Sequence, residues 1–148
     1  MEFISKSIKE TENFAKDFLA KIKPSKDKAV VLALRGDLGS GKTTFTQFLA
    51  KELGITNYVT SPTFVIEKKY LCADGKVFEQ LIHIDCYRLN SPEEMLRLDW
   101  EEIINNPENL IVVEWPERIE TILPKESIKI EFEFVGENER RISTKSNS

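Results

Sequence analysis

Metal and disulfide chemistry have little to work with in this 148-residue chain, which holds two cysteines, Cys72 and Cys86, and one histidine, His83. Two lone thiols make neither a disulfide framework nor a ligand set, and one imidazole does not complete a tetrahedral zinc site. Long apolar runs are missing too. The longest, 29–34, has six residues, far short of the ~20 that cross a bilayer. The first residues, MEFISK, carry no basic stretch followed by an apolar one, so no secretory signal is expected and the chain reads as cytosolic. Nor is there an excess of cations. Lys and Arg number 21 against 25 Asp and Glu, a net charge of −4. That balance argues against a broad basic face for nucleic acid and leaves small local basic sites open.

What is present suits one soluble domain over residues 1–148, since domains run to about 150 residues. A chain of this size buries about 68–70% of its unfolded surface, enough for a core without staples. Ile8, Phe14, Ala15, Phe18, Leu19 and Ile22 recur at helical spacing, and Ser7 with Glu10 forms a capping box, which predicts a helix over 8–22 ended by Pro24. The run AVVLALR at 29–35 has the continuous apolar character of a strand buried on both faces. A helix is predicted over 43–53, with Gly54 just past its end. Strand patterns follow at 63–71 and 77–85, joined by an Asp74-Gly75 hairpin signal. Ser91-Pro92-Glu93-Glu94 starts a helix at 92 that extends to about 105 with a break near Asp99. LIVVE at 110–114 is a second buried strand, 117–123 a short helix, and 128–134 a half-exposed strand that 140–144 could pair with. Residues 144–148 read as a frayed polar tail.

Gly36-Asp37-Leu38-Gly39-Ser40-Gly41-Lys42-Thr43 satisfies G-x-x-x-x-G-K-[ST] at every fixed position. Glycines let the backbone turn tightly and bring several N–H groups onto phosphate oxygens, and the following helix start adds unpaired donors and partial positive charge. Lys42 supplies a cation for the β- and γ-phosphates, and the Thr43 hydroxyl is a hard oxygen ligand of the kind magnesium prefers. By composition alone the pattern arises in about one chain in 200 of this length. Its place between a buried strand and a helix lowers that further, so a nucleoside triphosphate is the expected ligand and a plain glycine turn the weaker alternative.

Such a loop needs a carboxylate near the metal, at the carboxyl end of a neighbouring strand. Asp85 and Glu114 both end strand patterns, and each could equally be a surface carboxylate. Thr60-Ser61-Pro62-Thr63 lies where a switch loop would reach the γ-phosphate, although a plain Ser-Pro turn is the better-supported reading. Arg88 could stabilise transition-state charge or form a surface ion pair. His83 reads as structural, facing away from the neighbours of Asp85 on an alternating strand, with a catalytic role the weaker alternative. The two cysteines read as packing residues.

Four segments in order, GDLGSGKTTF at 36–45, SPTF at 61–64, HIDCYRL at 83–89 and VEWPE at 113–117, resemble the TsaE (YjeE) P-loop ATPases of tRNA threonylcarbamoyladenosine biosynthesis. The resemblance spans nearly the whole chain. It implies a three-layer α/β P-loop NTPase fold with a mixed central sheet, parallel around the loop-bearing strand and antiparallel at the hairpin. It further implies an ATPase that is slow alone, with ATP and Mg2+ as cofactors and Thr43 and Glu114 as the metal ligands. Gly39, Ser40, Gly41, Lys42, Thr43 and Thr44 would wrap the phosphates, and Asp85 with Lys42 would serve hydrolysis. Thr11 would touch the nucleotide, and residues 136–141 would cover its base or ribose. Trp115 matches the family's tryptophan beside the site, a packing role being equally open. The implied partners are a TsaD–TsaB type complex and a TsaC-type enzyme that makes threonylcarbamoyl-adenylate. Through them the chain would meet tRNA only indirectly, as a monomer or weak oligomer away from membranes.

Other classes leave fewer marks. A small-molecule kinase commonly closes an arginine-bearing lid over its acceptor, yet between Asp85 and Trp100 the only arginines are Arg88 and Arg97. A regulatory GTPase would carry Asn-Lys-x-Asp, which does not occur. A non-catalytic nucleotide-binding module would have no use for Asp85 and Glu114 together.

Overall fold

The computed structural model describes residues 1–37, 39–57, 59–60 and 66–146. Among them, seven strands form one sheet: β1 (Glu2–Ser5), β2 (Val30–Arg35), β3 (Glu67–Leu71), β4 (Gln80–Asp85), β5 (Asn109–Glu114), β6 (Ile128–Gly136) and β7 (Glu139–Ser146). Their spatial order is β1-β7-β6-β2-β5-β4-β3. The four central strands, β6, β2, β5 and β4, run parallel, while β7, β1 and β3 are antiparallel to their neighbours. Helices α1 (Ile8–Lys21), α2 (Lys42–Glu52), α3 (Pro92–Leu96) and α4 (Trp100–Ile104) complete the chain with a 3-10 segment, Pro116–Ile122.

Parallel strands covered on both faces read as continuous apolar runs because neither side meets water. That is the case for β2, where Leu32 and Leu34 join the cluster under α1 and α2, and Val31 joins the cluster under α3, α4 and the 3-10 segment. Every residue of β5 is buried. The sheet is thus the middle of three layers, as the expected fold class requires. Phe45 on α2 ties the first layer together: its ring lies 6.0 Å from Phe14 on α1 and 5.4 Å from Phe132 on β6.

Ser7 caps α1 by accepting from the Glu10 N–H at 3.1 Å, and Gly54 follows α2 with a φ of 72°. The break near Asp99 is present, dividing that stretch into α3 and α4. Three expectations need correction. The β3–β4 connection is wider than an Asp74-Gly75 hairpin, for the Ala73 N–H donates to Leu53 O at the end of α2 and Phe78 turns into the core. Pairing therefore begins at Leu71 and Gln80, and β4 starts three residues later than expected. Residues 144–146 are strand rather than frayed tail, since β7 continues along β6 to Ser146. Strand β1, which holds β7 from its far side, was not anticipated. The start of the strand expected over 63–71 lies outside the described residues.

Candidate phosphate-binding site

After β2 the chain turns through three glycines with positive φ: Gly36 at 151°, Gly39 at 77° and Gly41 at 107°. A Cβ at Gly36 would stand 2.6 Å from both the Phe132 carbonyl oxygen and Ser40 Oγ, so no larger residue fits there. Gly41 is the N-cap of α2 and offers no side-chain acceptor, which leaves first-turn N–H groups available to an anion. Ser40 is 1% exposed, and its Oγ has no hydrogen-bond partner among the described residues. Lys42, the first residue of α2, is buried. Its Nζ donates to Gly36 O at 2.5 Å and lies 4.3 Å from the centre of the Trp115 ring, a cation–π contact.

Strand register supplies the opposite wall. Leu34 on β2 pairs with Glu114 on β5, and Glu114 with Asp85 on β4, so both carboxylates come level with the glycine loop. Each is 4% exposed. Asp85 Oδ1 accepts from the Tyr87 N–H at 2.8 Å, a bond that turns the chain away from β4. Trp115, just past β5, has a left-handed φ of 57°, and its ring meets that of Tyr87 at a tilt of 57° with 5.2 Å between centres. These groups surround a cavity of about 430 Å3 together with Gly39, Gly41, Thr43, Thr44 and Arg140.

A smaller cleft of about 150 Å3 adjoins it and brings Thr11, Ser40, Glu137 and Asn138 beside the same Gly41, Thr44 and Arg140. Thr11 Oγ1 is 2.6 Å from Ser5 Oγ, which fixes α1 to β1. Arg140 donates from Nη1 to Gly136 O at 3.0 Å and to Glu139 O at 3.1 Å, and its guanidinium lies 5.0 Å from the Phe134 ring centre. A larger groove, about 990 Å3, opens elsewhere at the amino ends of β2 and β6, lined by Lys21, Lys23 and Lys28 among others. Among the described residues it holds none of the P-loop, Asp85 or Glu114 side chains, so the chemistry points to the smaller cavity.

The structure therefore brings Gly39, Gly41, Lys42, Thr43, Thr44, Asp85 and Glu114 into one cavity, with Thr11 and Ser40 in the adjoining cleft. Arg88 is exposed, and the arginine lining the cavity is Arg140, reachable from sequence only as part of 136–141. Tyr87 was missed, although it sits inside HIDCYRL. The orientation expected for His83 is corrected: residues two apart on a strand share a face, so it lies on the side of Asp85, and its Nε2 meets Glu114 Oε2 at 2.6 Å. Thr60 accepts from Lys68 Nζ at 2.8 Å; the rest of the switch-like segment, 61–63, and Leu38 of the loop lie outside the described residues. Burial pushes the Cys86 thiol up to about 12, helped by Asp85 and Glu117. Burial and then Glu79 push the Cys72 thiol up to about 11. Neither is a ready thiolate, in keeping with packing roles.

A buried parallel strand that opens through glycines into a helix bearing Lys and Thr, with acidic residues ending the adjacent strands, defines a protein of the P-loop NTPase fold. The family model described as "Threonylcarbamoyl adenosine biosynthesis protein TsaE" matches residues 5–142. A Bacillus subtilis protein named "tRNA threonylcarbamoyladenosine biosynthesis protein TsaE" is 43% identical over 134 residues, covering 90% of this chain and 78% of the relative. A Rickettsia typhi protein of the same name is 36% identical over 140 residues, covering 94% and 90%. The crystal structure of Bacillus subtilis YdiB superposes with a TM-score of 0.78 at 34% identity, covering all of this chain and 86% of that one. The chain belongs to the TsaE family.

Proposed function

We propose that this chain binds and hydrolyses ATP with Mg2+. In this reading it serves the formation of the threonylcarbamoyl group on the adenosine next to the anticodon of tRNAs reading codons that start with A. It acts in the cytoplasm with a TsaD–TsaB type complex. One observation carries the reading: Lys42, Thr43, Asp85 and Glu114, drawn from three separate stretches of chain, line a single cavity at the carboxyl ends of β2, β4 and β5.

The residues present fit a magnesium-bound polyphosphate. The uncapped start of α2 and the unpartnered, buried Ser40 Oγ suit phosphate oxygens. A hydroxyl and a carboxylate, Thr43 and Glu114, form the hard-oxygen pair that magnesium takes alongside phosphate. When bound, the metal supplies positive charge against the charge that gathers on the phosphate oxygens. The remaining tasks fall to the chain. Lys42 exchanges Gly36 O and the face of Trp115 for phosphate oxygens and neutralises them. Asp85, its carboxylate steadied by the Tyr87 N–H, orients the attacking water. The cleft of Thr11, Glu137, Asn138 and Arg140 takes the ribose or base. With a net charge of −4, the chain suits a subunit that meets tRNA through its partners rather than by its own field.

Phosphate release from ATP by the purified chain tests the reading, measured with Mg2+, with EDTA, and with a TsaD–TsaB type complex added. Slow, magnesium-dependent hydrolysis that the complex accelerates is the expected result. A stoichiometric phosphorylated metabolite would mean a kinase instead. ATP binding without turnover in any mixture would mean a non-catalytic module.

A further inference from the structure

His83 is wholly buried on β4. Leu81, His83 and Asp85 share one side of the sheet because strand side chains alternate. Strand β5 runs parallel beside them, with Val112 opposite His83 and Glu114 opposite Asp85. Glu114 is therefore the diagonal neighbour of His83, and the 2.6 Å contact joins Nε2 to Oε2. An ionised carboxylate can only accept, so the Nε2–H donates. The other ring nitrogen, Nδ1, is buried with no partner among the described residues. A residue kept for packing alone would do better as an aliphatic side chain, since an orphaned ring nitrogen carries a desolvation penalty. Among the described residues, the bond to Glu114 is the one polar contact the imidazole gains.

We infer that His83 is a positioning residue for Glu114: its Nε2–H takes Oε2 and leaves Oε1 for the cation side of the cavity. The need arises from register. Glu114 and Asp85 end adjacent strands side by side, and like charges so placed disfavour each other. Among the described residues the imidazole is the sole hydrogen-bond partner of the Glu114 side chain. Held from behind, the carboxylate meets the metal without first being ordered, as outer-shell partners do for metal ligands generally. This inference rests on the magnesium-nucleotide reading of the cavity.

Two measurements on the full chain, freed of any histidine tag, test it. His83 is the only histidine, so ring-15N NMR reports one imidazole without assignment. The expected spectrum is that of the Nε2-protonated tautomer with a slowly exchanging downfield proton, which Glu114→Ala removes. A spectrum of the opposite tautomer overturns the inference. Calorimetry then follows ATP binding as Mg2+ is titrated, in the wild type and in His83→Leu, His83→Gln and His83→Asn. Leu and Asn are expected to raise the magnesium midpoint about 10–100-fold while leaving ATP affinity in EDTA unchanged. Gln, whose amide nitrogen reaches the Nε2 position, restores most of the loss. A lower melting temperature with an unmoved midpoint assigns His83 to packing and overturns the inference. Should His83→Leu not fold, the contrast between Gln and Asn decides by the same criterion. A wild type that binds no ATP with Mg2+ sinks the functional reading and the inference together, whereas equal midpoints in all variants sink the inference alone.

Discussion

The parallel centre of the sheet and its antiparallel flank bury polar groups on different terms. In β4 and β5 the buried residues His83, Asp85 and Glu114 gather toward the carboxyl end, beside the glycine loop that follows β2, while Asn109, buried at the amino end of β5, donates to Ile103 O. In β6, Ile130 and Phe132 enter the core while Glu131 and Glu133 face solvent, and none of the polar side chains described on β6 and β7 is fully buried. A strand covered on both faces tolerates a charge only where a partner or a ligand cavity receives it. Burial of charge at the centre therefore marks the chemistry, whereas the flank, with α1, supplies walls: Thr11, Glu137, Asn138 and Arg140.

Substitutions can break or sharpen that contrast. Phe45 is 0% exposed and joins α2 to both α1 and β6. Phe45→Ala should thus cost ~3–5 kcal/mol in denaturant unfolding and loosen centre and flank together. A loss confined to the flank by hydrogen exchange would show that the two regions fold separately. At the centre, Asp85→Asn should lower ATP turnover by ~10²-fold or more with nucleotide affinity nearly retained, checked by single-turnover kinetics beside equilibrium binding. At the flank the pattern should reverse. Arg140→Ala should weaken ATP binding about tenfold, ~1.4 kcal/mol, with turnover at saturation within about twofold; a large fall in saturated turnover would place Arg140 in the chemistry instead.

The smallest effect belongs to the far edge. Burial, then the Asp99 carboxylate beside it, push Glu67 from 4.5 up to about 7, while Lys69 opposes the rise. A raised carboxyl contributes its stability in full below the unfolded value, and that contribution is lost as pH climbs through about 7. Glu67→Gln should then stabilise the fold at pH 8 by ~1 kcal/mol, screening included, and change little at pH 4. Unfolding curves at the two pH values check this, and equal effects at both would refute the assignment.

The sequence carried the centre of the molecule more plainly than the flank. AVVLALR and LIVVE announce doubly buried strands by composition, and the loop pattern fixes Lys42 and Thr43 by spacing, so the site's main groups were legible without coordinates. What failed did so for stated reasons. Four residues of β1 are too few to establish alternation, and that strand exists because β7 offers it an edge. The Asp74-Gly75 signal is local, whereas the bond from Ala73 to the end of α2 is tertiary. The pairing of His83 with Glu114 depends on the register of β4 against β5, which no single segment encodes. Arg140 reaches the cavity only because β7 folds back along β6.

The account stands on Lys42, whose ammonium is held by Gly36 O and Trp115 beside the glycine loop. Calorimetric titration of ATP with Mg2+ into the wild-type chain and into Lys42→Ala tests it most directly. Saturable binding by the wild type, weakened at least about tenfold in the variant, is the expected result. Equal binding by both chains, or none by either, would contradict it.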